Sequence, residues 1–109
     1  MEMPDKPENG YEIYKWVKGS IYEGEWKDGK RHGQGKFTWS NGTVYEGGWV
    51  LDKRHGKGTI VFAGTSAKSG ESYTGEWKEN EQHGQGKEYN EDGTLVAEGE
   101  FSDGKLNCK

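Results

Sequence analysis

Tyr22-Glu-Gly-Glu-Trp26 is followed six residues later by His32-Gly-Gln-Gly35. The same pair of segments returns as Tyr45-Glu-Gly-Gly-Trp49 with His55-Gly-Lys-Gly58, and as Tyr73-Thr-Gly-Glu-Trp77 with His83-Gly-Gln-Gly86. Three copies with one internal spacing define a repeat protein, in which each unit buries its apolar face only against its neighbours. Within a copy, Tyr22, Gly24 and Trp26 alternate with Glu23 and Glu25, and Gly35, Phe37 and Trp39 alternate with Lys36 and Thr38. A period of two places rings and glycines on one face of a strand and charges on the other. Two strands per copy follow, joined by a loop through Asp28-Gly29 and His32-Gly33. Asn41-Gly42 is a strong hairpin signal and predicts a type I′ turn into the next copy. The fold class is therefore all-β: an elongated antiparallel β-meander of stacked hairpins forming a single twisted layer.

Composition decides one further point. Hydrophobic residues make up 28% and charged residues 31% of the 109, a balance that taken blindly suggests disorder. The 13% aromatics and the glycines in register argue for a thin folded domain whose apolar surface is mostly aromatic rings. Glycine between two aromatics leaves bare backbone over which a ring can lie flat; Gly24, Gly35, Gly47, Gly58, Gly75 and Gly86 supply such lanes. A net charge of -4 gives no global attraction to nucleic acid. There is no apolar run long enough to span a bilayer and no hydrophobic N-terminal segment resembling a secretory signal, so a cytoplasmic location is expected. The lone Cys108 has no partner for an internal disulfide and is expected to be an unremarkable thiol.

The organisation expected is a flexible leader over 1–13 and a repeat domain over 14–105. The domain comprises a half repeat (14–21), repeats 22–44, 45–72 and 73–96, and a partial capping repeat (97–105). The turn from Ala63 to Ser72 is five residues longer than its counterpart. In the third copy Glu88 stands where Phe37 stands in the first, and the next motif, Ala97-Glu-Gly-Glu-Phe101, starts one residue late. A β-bulge near Glu88 and Tyr89 is predicted, because one extra residue restores the inward face.

The pattern Tyr-x-Gly-x-Trp, x-x-Gly-x-x-His-Gly-x-Gly, then an aromatic strand and x-x-Gly resembles the MORN repeat (membrane occupation and recognition nexus) over Tyr14 to Lys105. The resemblance implies β-hairpins stacked into an elongated, half-open sheet. It also implies a non-catalytic interaction or scaffold role, as in cytoskeletal and junctional assemblies.

Equivalent histidines in a stacked meander lie about 10 Å apart, two strand spacings, too far to share one metal. His32, His55 and His83 are therefore read as loop-shaping, and neither a metal, a cofactor nor an enzymatic activity is expected. The leading functional reading is a protein-binding module taking a peptide or helix on a concave aromatic face. Its contact residues would be Tyr22, Trp26, Phe37, Trp39, Tyr45, Trp49, Phe62, Tyr73 and Trp77, because a single layer leaves rings uncovered. The alternative is association with anionic phospholipid through basic loops of the first two repeats: Lys27, Lys30, Arg31, Lys36, Lys53, Arg54 and Lys57. A third reading is homodimer or higher assembly through open sheet edges.

Overall fold

The computed structural model describes residues 8–63 and 69–106. Cys108 and the centre of the long 63–72 turn lie outside the described residues. Among the described residues nine strands follow one another in a single antiparallel sheet, each hydrogen-bonded to its sequence neighbours. They are β1 (Gly10–Lys15), β2 (Ile21–Lys27), β3 (Lys30–Thr38), β4 (Val44–Val50), β5 (Lys53–Val61), β6 (Ser72–Lys78), β7 (Glu81–Tyr89), β8 (Leu95–Ser102) and β9 (Lys105–Leu106). The sheet measures 48 × 27 × 18 Å. The meander expected from the alternation is the observed fold, and among the described residues there is no helix.

The hairpins are tighter than the sequence pattern suggests. β2 and β3 are joined by two residues only, Asp28 (φ 51°) and Gly29 (φ 77°). Positive φ at both central positions is the requirement of a type I′ turn, whose twist matches that of the flanking strands. Leu51–Asp52, Glu79–Asn80 and Asp103–Gly104 repeat it, with Asp52 and Asn80 holding φ of 71° and 74° where the first copy has glycine.

His32-Gly33, expected in the loop, instead lies inside β3. There Trp26 pairs with Arg31 and Gly24 with Gly35, so Glu25 alone faces His32, Gly33 and Gln34. This is a bulge of two extra residues. Its sharp bend requires the positive φ of Gly33 (73°), and the Glu25 carboxylate closes it by accepting the Gln34 amide at 2.7 Å. The third copy matches, with Glu76 accepting the Gln85 amide at 2.6 Å.

Asn41-Gly42 also differs from expectation. The Gly42 amide donates to the Trp39 carbonyl at 2.9 Å, which makes Ser40 and Asn41 the central residues, and only Gly42 takes positive φ. The Asn41 side chain accepts the Thr43 amide at 2.9 Å, so it serves as a local acceptor rather than as a left-handed residue.

At the ends of the chain the picture divides. Gly10–Ile13, placed by sequence in the leader, pair with Trp26 through Glu23. Tyr11 and Ile13 remain 62% and 55% exposed, which is why no buried periodicity marks them. The register shift predicted near Glu88 and Tyr89 is present where β7 meets β8.

A row of glycines crosses the sheet at right angles to the strands. Gly24, Gly35, Gly47, Gly58, Gly75, Gly86 and Gly99 are direct partners on successive strands from β2 to β8. A Cβ on Gly35 would overlap the hydroxyl and ring of Tyr22; Gly58 stands in the same relation to Tyr45, and Gly86 to Tyr73. Each tyrosine therefore lies down over the bare backbone of the next strand, and a single layer acquires a closed core.

Candidate functional site

The aromatic face has two levels. The lower one is a continuous run of edge-to-face rings in the order Tyr14, Trp26, Tyr22, Trp49, Tyr45, Trp77, Tyr73, Phe101, with successive centroids 5.0–6.0 Å apart. Each such pair contributes about 0.5–1.5 kcal/mol beyond the area it buries. Trp26, Trp49 and Trp77 each stand between the tyrosine of their own repeat and the preceding one, and Phe101 packs on Tyr73 at the end of the run.

The polar tips of these rings are satisfied by backbone. Tyr22, Tyr45 and Tyr73 donate to the carbonyls of Glu25, Gly48 and Glu76 at 2.8–3.0 Å. Trp26, Trp49 and Trp77 donate through Nε1 to Glu12, Gly35 and Gly58 at 3.0–3.1 Å. Burial pushes the Tyr22 and Tyr45 phenols well above their ordinary range, and that of Tyr73 up to about 12.

Two arginines cover this core. Because the I′ turn puts Arg31 opposite Trp26 and Arg54 opposite Trp49, both side chains enter the aromatic face. Arg31 lies 4.8 Å from the Trp49 centroid and 5.1 Å from that of Phe37; Arg54 lies 4.9 Å from Trp77 and 5.5 Å from Trp39. Each is held by the turn of the next repeat. Asp52 Oδ1 accepts from the Arg31 amide (2.8 Å) and Nε (3.0 Å), and its carbonyl accepts from Nη2 (3.1 Å). Asn80 makes the same three contacts to Arg54 at 2.9, 3.3 and 2.9 Å. Burial lowers the Arg54 pKa, yet a guanidinium stays charged at physiological pH.

The upper level is a row of partly exposed rings at equivalent positions, Trp16, Trp39 and Phe62, packed on the core from above. Trp16 and Trp39 flank a recess of about 570 Å³ lined also by Val17, Lys18, Ser20, Arg31 and Phe37.

The nine rings expected to be contact residues thus separate. Tyr22, Trp26, Phe37, Tyr45, Trp49, Tyr73 and Trp77 are buried, the three tyrosines completely, so the expectation that one layer leaves them uncovered does not hold for these seven. The glycine row and the two arginines are the physical reason. Trp39 and Phe62 retain exposed surface; Trp16, in the half repeat, was not among the nine although it occupies the Trp39 position. The seven basic residues separate too. Arg31 and Arg54 lie over the rings, Lys36 and Lys57 on the opposite face beside Glu46, and Lys27, Lys30 and Lys53 at the hairpin ends. His32, His55 and His83 occupy the bulges, and among the described residues no group of three metal-ligating side chains comes together.

The fold and this ring arrangement define an open, single-layer β-repeat protein with a sealed aromatic core and a partly open upper row. The sequence profile of the MORN repeat matches residues 22–44, 45–65 and 73–95, and the chain belongs to that family. MORN repeats are in general non-catalytic modules that interact with proteins or membranes. No match to a curated protein is found.

Proposed function

We propose that this chain is a protein-interaction module that receives a peptide or helix across the aromatic face, along the row Trp16, Trp39 and Phe62. The observation that carries the reading is the recess between Trp16 and Trp39, where half-covered rings sit beside a charged arginine. Rings of this kind anchor interfaces because they release much apolar area with little loss of side-chain freedom. The seven buried rings act behind them as a rigid support, and their contribution to binding is to hold the row in place.

The test is a peptide selected on the wild-type chain from a displayed random library, then titrated against Trp16→Ser/Trp39→Ser. The circular dichroism spectrum of that variant should keep its β signature, because both rings lie above the buried core and are only partly covered. Affinity is expected to fall at least tenfold. Undiminished binding by the folded variant would remove the row from the interface, and failure to select any peptide would count against a peptide-binding face altogether.

Self-association has one observation in its favour. Among the described residues β1 is an edge strand carrying exposed Tyr11 and Ile13, and β9 pairs with β8 at Phe101 and Ser102, while Leu95 and Val96 are exposed. Such edges template strand pairing. A dimer mass in light scattering that reverts to monomer with Ile13→Lys is the expected result; a monomer at high concentration excludes it. Lipid binding has less support, since the seven basic side chains do not share one surface.

A further inference from the structure

The two arginines that cover the core differ in one respect. Arg31 is neutralised by Asp52, with Nε 3.0 Å from the carboxylate. Arg54 occupies the same place one repeat later, makes the same three contacts, and receives them from the uncharged Asn80. Among the described residues Arg54 has no ion pair, and its Nη1 donates to no acceptor. A full positive charge is thus set among Trp39, Tyr45 and Trp77, at 4.9–5.9 Å from their centroids, with its counter-charge missing. Its geometry is nevertheless fixed, because Asn80 and the ring faces clamp two of its three nitrogens. Trp39, the ring above it, belongs to the partly exposed row.

We propose that Arg54 is the specificity-determining contact of the aromatic face, and that it takes a carboxylate of the docked peptide, an Asp or Glu flanked by apolar residues. A preorganised guanidinium beside apolar surface recognises a planar carboxylate through its fork of donors, and does so more strongly than an exposed lysine. Arg31 supplies the internal comparison: Asp52 already occupies the role that the partner's carboxylate plays at Arg54. The flanking apolar residues of the peptide then lie on Trp39 and Phe62. This inference rests on the peptide-binding reading above and adds the chemistry of its partner.

The experiment exchanges the two acceptors, each substitution having its own precedent in this chain at the equivalent turn position. Peptides are selected from a displayed random library on the wild-type protein, and their affinities are measured by isothermal titration against wild type, Asn80→Asp and Asp52→Asn. The selected set should be enriched in acidic residues next to apolar ones. Asn80→Asp should bind them about tenfold or more weakly, one lost charge-assisted contact. Replacing the peptide's acidic residue by its amide should weaken binding to wild type by a similar factor and leave binding to Asn80→Asp nearly unchanged. Asp52→Asn frees Arg31 and should bind doubly acidic peptides more tightly.

Peptides that perturb Trp16 and Trp39 but show no acidic preference, or equal affinity of wild type and Asn80→Asp, overturn the role of Arg54 and leave the peptide face standing. Selection of no peptide removes both. Flotation with vesicles containing phosphatidylserine that is abolished by Asn80→Asp, in a protein that selects no acidic peptide, would assign Arg54 to lipid headgroups and overturn the proposal.

Discussion

Gly35→Ala isolates the feature on which the single-layer core depends. Gly35 has an extended backbone conformation that alanine adopts freely, so the cost of the change is purely steric. The new methyl group would overlap the Tyr22 hydroxyl and two of its ring carbons. Tyr22 has nowhere to go: it is completely buried, with Trp26 and Trp49 at 5.1 and 5.5 Å on either side. Overpacking of this kind costs about 1–3 kcal/mol. Displacing the ring also breaks the hydroxyl bond to the Glu25 carbonyl, about 1 kcal/mol more. The reduced freedom of the unfolded chain returns about 0.4–1 kcal/mol. The net loss is about 1–4 kcal/mol.

Gly56→Ala is the matched comparison. That position has open space around the missing side chain and φ of 81°, so alanine there meets backbone strain alone, about 1–2 kcal/mol before the same return of about 0.4–1 kcal/mol from the unfolded chain. Guanidinium unfolding followed by tryptophan fluorescence measures both, with the slope required to stay constant. Adding Tyr22→Phe to Gly35→Ala removes the hydroxyl conflict and should recover part of the loss. Destabilisation by Gly35→Ala of less than about 0.5 kcal/mol, or a cost below that of Gly56→Ala, would refute the packing of Tyr22 on the glycine.

Three further outcomes follow from the same geometry. Trp49→Ala, which removes a ring touching Tyr22, Tyr45 and Phe37, is expected to cost about 3–5 kcal/mol in thermal or chemical unfolding, whereas Trp16→Ala at the half-exposed end should cost clearly less. A double-mutant cycle of Arg31→Ala and Asp52→Ala should give a coupling of about 1 kcal/mol or less, diminished by salt because both side chains are partly exposed. Stability should fall at alkaline pH: the Tyr73 phenol ionises at about 12 folded against 10.0 in its ordinary state, so its contribution is whole below pH 10 and is lost as pH rises toward 12. Tyr22 and Tyr45 are shifted the same way, and ultraviolet titration of the phenolate band alongside circular dichroism checks all three.

Strand alternation, the glycine lanes and the slip at Glu88–Tyr89 were legible in the sequence because each is a count along the chain. Periodicity of two settles which face a residue takes, and a single extra residue announces itself by inverting that face. The functional surface was less legible. Whether a ring is covered depends on what the neighbouring repeat places over it, and that is a cross-strand property. Arg31 and Arg54 read as loop cations until the turn is known to be two residues long; only then does counting outward from Asp28-Gly29 set Arg31 opposite Trp26. The His-Gly pair reads as part of the loop for a related reason. A bulge of two residues inside a strand and a longer turn leave the same gap between Trp and the next glycine. Trp16 could have been found, since it stands three residues before Gly19 as Trp39 stands three before Gly42.

Among the described residues the aromatic face is closed below and partly open along its upper row. Incorporating fluorotryptophan gives five resonances, one for each tryptophan, and adding a soluble paramagnetic agent reads the solvent access of each. Attenuation is expected to be strong for Trp16 and Trp39 and slight for Trp26, Trp49 and Trp77. Uniform attenuation of all five, or exposure of the three core tryptophans, would contradict this arrangement.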